Sequence, residues 1–200
     1  MNILRKIGAL LCIVIAVYSA RYFLPGASGP EIILSNLFRA PWLLIHVGAA
    51  VVALMTGPVQ FVRSLRQKWP AIHRWLGRLY VAGCIVGGLT GLILAFGAST
   101  GPISTAGFGL LAIAWMTATG LAWRTAMQRR FVEHRMWMIR SFALTCAAVT
   151  LRLYLQILPG LPIPFVSGYR AISFLCWVPN ILVAEYFLRR AATRQAGRIA

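Results

Sequence analysis

Residues Leu76–Gly97 read LGRLYVAGCIVGGLTGLILAFG: twenty-two positions carry a single charge, Arg78, close to the start. About 20 apolar residues suffice for a helix to cross the hydrocarbon core of a bilayer. The run is too long for a strand, and polar and apolar positions do not alternate along it. Five more runs share this character: Ile7–Leu24, Trp42–Val62, Ser104–Trp123, Met136–Leu158 and Ile172–Leu188. Pro25-Gly26, Pro41, Trp69-Pro70, Gly101-Pro102 and the stretch from Pro159 to Pro164 punctuate them, where a helix starts or stops without losing a needed N–H. The chain of 200 residues is 60% hydrophobic and 12% charged, with mean hydropathy +0.76. A water-soluble domain has roughly twice that share of charge. These features predict an all-α polytopic bundle of six transmembrane helices. It forms one transmembrane domain over residues 1–200, with a core bundle at about 41–190. They exclude a soluble enzyme, a disordered tail, a disulfide-stapled secreted domain and a coiled coil.

Twenty Lys and Arg against three Asp and Glu give a net charge of +17. Such a balance invites a nucleic-acid partner, but the bases sit between apolar runs instead of lining one surface, so none is expected. Sixteen of them fall at one set of helix ends: Arg5 and Lys6; Arg63, Arg66, Lys68, Arg74 and Arg78; Arg124, Arg129, Arg130, Arg135 and Arg140; Arg189, Arg190, Arg194 and Arg198. The opposite ends hold Arg21, Arg39, Arg152 and Arg170. The positive-inside rule then predicts a multi-pass protein of a bacterial inner membrane with both termini cytoplasmic. The expected partner is the bilayer itself, its anionic headgroups attracted by about 1 kcal/mol per near-surface charge. The first run also has the shape of a signal peptide, Arg5-Lys6 before Ile7–Val17. It lacks a clean small-x-small site and continues to Leu24, so residues 1–24 read as a retained first helix or an uncleaved signal anchor. Glu31–Phe38 then lies outside, along the interface.

Helices in lipid associate through small residues that let backbones approach. The third run has Gly83, Gly87 and Gly91 at four-residue spacing, the second Ala49, Ala53 and Gly57, and the fourth Ala114, Ala118 and Ala122. Three consecutive rows of this kind predict contact faces within a tight core, and a helix-mediated homo- or hetero-oligomer is a further reading of such faces. Cys12, Cys84, Cys146 and Cys176 fall one per helix with no Cys-x-x-Cys pair, which reads as small buried apolar residues.

Ionisable and polar groups inside the bilayer are costly, and each is a functional candidate. In the fifth run His134, Met138, Ser141, Thr145, Ala148, Arg152 and Gln156 recur at three- and four-residue steps and share one helix face. That lane is expected to face the bundle or a cavity; for Arg152 the alternative is a side chain snorkelling to the headgroups. His46 shares a face with Ala50, Ala53 and Gly57, where a satisfied core hydrogen bond competes with a ligand role. Glu185 precedes Arg189 by four residues and suggests a local ion pair. Pro179-Asn180 predicts a kink with a freed carbonyl to be resatisfied.

Two similar blocks open the third and fifth helices. One reads His73-Arg74-Trp75-Leu76-Gly77-Arg78-Leu79-Tyr80, the other His134-Arg135-Met136-Trp137-Met138-Ile139-Arg140, offset by one helical hairpin. These blocks, with His46, Gly57-Pro58-Val59-Gln60-Phe61, Thr150-Leu151-Arg152-Leu153-Tyr154 and Trp177-Val178-Pro179-Asn180 followed by Ala184-Glu185, resemble the DUF2306 group of bacterial membrane proteins. The resemblance runs from about His46 to Glu185 and implies a multi-span membrane fold without a particular activity.

Chemically, two neutral imidazoles from facing helices can ligate one b-type haem. His73 and His134 would be its metal ligands, and Arg74, Arg78, Arg135 and Arg140 would bind its propionates. Gly77 and the Gly87/Gly91 face would leave room for the macrocycle. The arrangement looks like one half of a cytochrome b561-type bundle, with the departure that His46 has no histidine partner in the fourth helix. The same histidine–arginine pairs also serve headgroup anchoring, with Trp75 and Trp137 as interfacial belt residues. Three classes stay open: a haem-binding redox protein, a transporter or binder of a small molecule, lipid or quinone, and a structural or assembly protein without cofactor. His46, Gln60, Tyr80, Ser141, Thr145 and Arg152 are the pocket candidates, and the pocket is expected between the second and fifth helices, opening toward the two blocks. There is no phosphate loop, Ser-His-Asp grouping or carboxylate pair to suggest hydrolase or ATPase chemistry. Three acids are too few for a hard-cation site.

Overall fold

The computed structural model describes residues 3–24 and 31–196. Among them ten α-helices follow in order: α1 (Ile3–Ala20), α2 (Glu31–Leu34), α3 (Trp42–Gln60), α4 (Arg63–Lys68), α5 (Pro70–Phe96), α6 (Pro102–Met127), α7 (Phe131–Thr145), α8 (Ala147–Ile157), α9 (Phe165–Leu175) and α10 (Val178–Ala196). No strand occurs among the described residues. Six stretches are long and apolar enough to cross a bilayer: Lys6–Phe23, Trp42–Gln60, Pro70–Phe96, Pro102–Met127, Phe131–Gly160 and Phe165–Arg194. The all-α bundle of six spans is therefore as the hydropathy pattern predicts. Pro70 and Pro102 open α5 and α6 at positions that need no N–H, and Gly101 precedes α6 at φ 87°, a left-handed conformation that glycine adopts without strain.

The small-residue rows find their partners. α5 is the central helix, with α3 on one side and α6 on the other. A Cβ at Gly83 would lie 2.8 Å from the Ala49 carbonyl and 3.2 Å from the Ala53 nitrogen, so no larger residue fits while α3 and α5 stay at this separation. Gly88 meets Met116 and Gly87 meets Trp115, both on α6. α1 lies against α3 and α8, where Cys12, Ile15 and Ala16 are buried with Leu54 and Val149. On the far side Gly107 of α6 receives Ser173 of α9.

Two spans are interrupted. Regular helical bonding lapses at Cys146, between α7 and α8, and at Cys176-Trp177, between α9 and α10. The second break belongs to Pro179-Asn180, as its chemistry predicts. The Cys176 carbonyl accepts from the Thr150 hydroxyl and, at 3.1 Å, from the Asn180 amide. The fifth span was expected as one helix over Met136–Leu158; it starts earlier and is divided, with no proline to announce it. Irregular backbone at membrane depth persists only where protein or a cavity covers it, and both breaks meet that condition.

One expected pair is replaced. Glu185 does not bind Arg189; Arg140 donates to it in a fork, 2.5 Å from Nε and 3.1 Å from Nη2, joining α7 to α10. Planar guanidinium-to-carboxylate geometry across two helices outcompetes a one-point contact along a single helix. Arg140 also stacks over Trp137, 4.6 Å from the ring centre, so Trp137 is part of the packed core whereas Trp75 is exposed. At the other end of the bundle the Asn36 amide donates to the Leu94 carbonyl at 2.8 Å, and the Leu37 N–H donates to Gly97 O at 3.1 Å. The segment after the first span thereby closes over the end of α5.

Candidate functional site

The polar lane of the fifth span turns inward. Met138, Ser141 and Thr145 are buried, and Ser141 and Thr145 belong to a closed hydrogen-bond network at the centre of the bundle. The Tyr80 hydroxyl lies 2.9 Å from both the Ser141 and the Thr145 hydroxyls. Thr119 and Ser141 are 2.6 Å apart, and Trp115 Nε1 donates to Thr145 at 2.9 Å. Every polar side-chain atom here finds a partner, which low-dielectric surroundings demand. Ser141 stands at the block offset from Tyr80, so equivalent positions of the two blocks meet across the bundle.

Above this network lies a cavity of about 220 Å³. Trp115 and Thr145 form its floor, and Gly87, Gly91, Ala50, Ala112, Ala147 and Ala148 widen it. The break at Cys146 and the Cys176 turn both adjoin it. Most of the wall is apolar, and the polar groups gather toward one end: Arg21, Asn36, His46, Ser99, Arg152 and Gln156. Arg152 points into this space instead of snorkelling outward, with one N–H donated to the Ala148 carbonyl at 2.9 Å. Arg21 stacks 3.9 Å over the Tyr18 ring centre, and its Nε is buried without a hydrogen-bond partner among the described residues. His46 Nδ1 is 2.8 Å from the Gly87 carbonyl. A carbonyl only accepts, so Nδ1 carries the proton and the neutral ring leaves Nε2 as an acceptor. The imidazole lies over Gly91, where a Cβ would come within 3.0 Å of it.

The cavity does not open toward the two blocks, as the sequence suggests. It occupies the opposite half, because near the blocks the inward side chains of α5, α6 and α7 close against one another around the Tyr80 network. His73 and His134 stand at the arginine-rich end. His134 repeats the His46 motif, its Nδ1 donating to the Ala122 carbonyl at 2.8 Å. His73 Nδ1 and the nearby Gln60 Nε2 are buried without partners among the described residues.

As a haem site these residues fit poorly. Gln60 covers Gly77, at 3.3 Å from where a Cβ would stand, while Trp115 covers Gly87 and His46 covers Gly91. Of the glycines expected to leave room for a macrocycle, Gly77 is thus covered, and Gly87 and Gly91 border the cavity of the opposite half instead of the space beside the two histidines. Arg140 is committed to Glu185, which leaves Arg74, Arg78 and Arg135, all exposed, for propionates.

Of the six pocket candidates, His46, Thr145 and Arg152 line the cavity. Ser141 and Tyr80 lie beneath its floor, and Gln60 stands at the other end. Sequence reasoning missed Trp115, Thr119 and Arg21. Thr119 follows Trp115 by one helical turn on a row of alanines, a legible spacing hidden by the apolar context. Arg21 counts in the charge tally only as a residue of the sparse side; nothing in its neighbours shows that the end of α1 folds over the fifth span.

A family model described as "Predicted membrane protein (DUF2306)" matches residues 43–188. No curated protein and no solved structure matches the chain.

Proposed function

The chain belongs to the DUF2306 family of predicted membrane proteins, and from that premise we propose that it binds, and by alternating exposure carries, a lipophilic small molecule within its bundle. The observation that carries this reading is the cavity of about 220 Å³, apolar along most of its wall and polar at one end. A volume of this size far exceeds the ~10–15 Å³ that admits a single water, and ligand sites are concave, mostly apolar and fitted with a few convergent polar groups. The two interrupted spans bordering it support movement of the cargo, since transporters build their midplane sites from discontinuous helices. The arginine-rich end is assigned to the cytoplasm of a bacterial inner membrane by the positive-inside rule, which puts the polar end of the cavity toward the outer leaflet.

Native mass spectrometry of protein released from nanodiscs tests the reading. One lipophilic molecule per chain is expected on the wild type and on the lipid-facing control Leu182→Phe. It should be lost from Ala147→Phe and from the gentler filling variant Leu151→Trp, with thermal unfolding checking that each folds. Equal occupancy in all four proteins, or none in any, overturns the proposal. A Soret band in the purified protein that disappears in His73→Ala and His134→Ala would replace it with the haem reading.

A further inference from the structure

We propose that the polar end of the cavity is an anion site, built from Arg21 and Arg152, for the carboxylate or phosphate head of a single-chain amphiphile. The inference rests on the cavity reading above and names the class of its ligand.

The charge inventory carries it. The chain has three acids. Glu133 is bound to Arg130 and Glu185 to Arg140, both at the arginine-rich end. Glu31 is exposed at the first residue of α2 and does not line the cavity. Two guanidinium groups therefore line one largely apolar space, within Coulombic reach of each other, with no carboxylate among the lining residues. Arginine keeps its charge in such surroundings, and like charges gathered at low dielectric are costly unless an opposite charge joins them.

The hydrogen bonds tell the same story. A guanidinium offers five N–H donors. Arg152 uses one, on Ala148 O. The Arg21 guanidinium donates to no acceptor among the described residues, although its Nε is fully buried. The Tyr18 ring face, 3.9 Å from Arg21 Cζ, contacts the guanidinium without using any N–H. Planar forks match the paired oxygens of carboxylate and phosphate. Beside them His46 Nε2 stands as an acceptor, suited to a hydroxyl on the head. Beyond the head, the space between Leu54, Leu111, Leu144 and Leu151 takes an alkyl chain and rejects a second charge. A soluble anion would leave that apolar part of the cavity unfilled, which is why the amphiphile is favoured over free phosphate.

The test uses the full chain in nanodiscs of neutral lipid, with a dansyl-labelled medium-chain fatty acid as probe and its methyl ester as the uncharged twin. The acid is expected to bind at least about tenfold more tightly than the ester, the worth of one charge-assisted hydrogen bond. Arg21→Gln and Arg152→Gln should each remove that preference while leaving ester binding unchanged, and Arg152→Lys should restore part of it. Dodecyl phosphate should displace the probe, whereas a large excess of inorganic phosphate should not. Thermal unfolding of the delipidated variants separates ligand recognition from architecture: removing an unpaired charge should leave Tm unchanged or raise it. Equal affinity for acid and ester, with both excluded by Leu151→Trp, overturns the anion site and leaves the cavity reading standing. Displacement by inorganic phosphate overturns the amphiphile. If neither probe binds, both readings fall.

Discussion

Tyr80 shows at the scale of one residue how a membrane bundle handles polarity. Its hydroxyl sits between those of Ser141 and Thr145 with no exposed surface, and oil offers those groups no substitute partner. Tyr80→Phe keeps the ring and removes one oxygen, leaving Ser141 and Thr145 one partner short. The expected loss is about 1–3 kcal/mol, read as a lower Tm in detergent; an unchanged Tm would mean the network rearranges freely. Glu185 is the second informative residue. Its carboxylate accepts both arms of Arg140 while only partly exposed, so Glu185→Gln should cost about 1.5–3 kcal/mol. Pairing it with Arg140→Met should recover part of that loss, because the uncompensated guanidinium is then gone. A double mutant no better than the single would show that the pair does not couple the two helices. Ser141 and Thr145 were legible as inward-facing from their spacing alone. Their partners Thr119 and Trp115 were not, since nothing local to α6 says which of its faces meets the fifth span.

Among elements, the contact between α3 and α5 sets the spacing of the rest. It is made by backbone against backbone at Gly83, where dispersion and close approach replace the hydrophobic drive absent in lipid. Gly83→Leu should therefore prevent assembly, whereas Gly120→Leu, where a Cβ meets nothing within 4 Å, should be tolerated. Size-exclusion profiles and Tm of the two variants compare them directly, and similar behaviour would deny α5 its central role. The glycine and alanine rows announce such faces at the level of sequence, and the three faces are real. What the rows do not announce is filling: Gln60, Trp115 and His46 occupy the room beside Gly77, Gly87 and Gly91. The same limit applies to the breaks. Pro179 reveals one through its missing N–H, but the lapse at Cys146 lies in a run with no proline or glycine to announce it, ahead of a helix that packs against α1 and α9.

For the molecule as a whole, an even number of candidate spans among the described residues, six, is expected to leave both chain ends on one side, the side to which the sequence assigns sixteen of the twenty basic residues. Reporter fusions to either terminus are expected to be active only in a cytoplasmic-side assay, and a cysteine placed at Ser99 should react with an impermeant maleimide from outside. The reverse labelling pattern would invert the assignment and move the polar end of the cavity to the inner leaflet. The two ends of the bundle also differ in how charge is met. The arginine-rich end holds both of the ion pairs among the described residues; the opposite end holds two arginines in a cavity with no acid in its wall.

Composition and period determined the solvent, the number of spans, the absence of sheet and the inward lane of the fifth helix. Each of these depends on transfer free energies and helix geometry that act residue by residue along the chain. The position of the cavity, the Arg140–Glu185 tie and the presence of Arg21 and Arg152 in one cavity wall were decided only by tertiary packing. They depend on which helices become neighbours and at what depth, and side-chain volumes summed across several helices, not any local pattern, settle where a bundle closes and where it stays open.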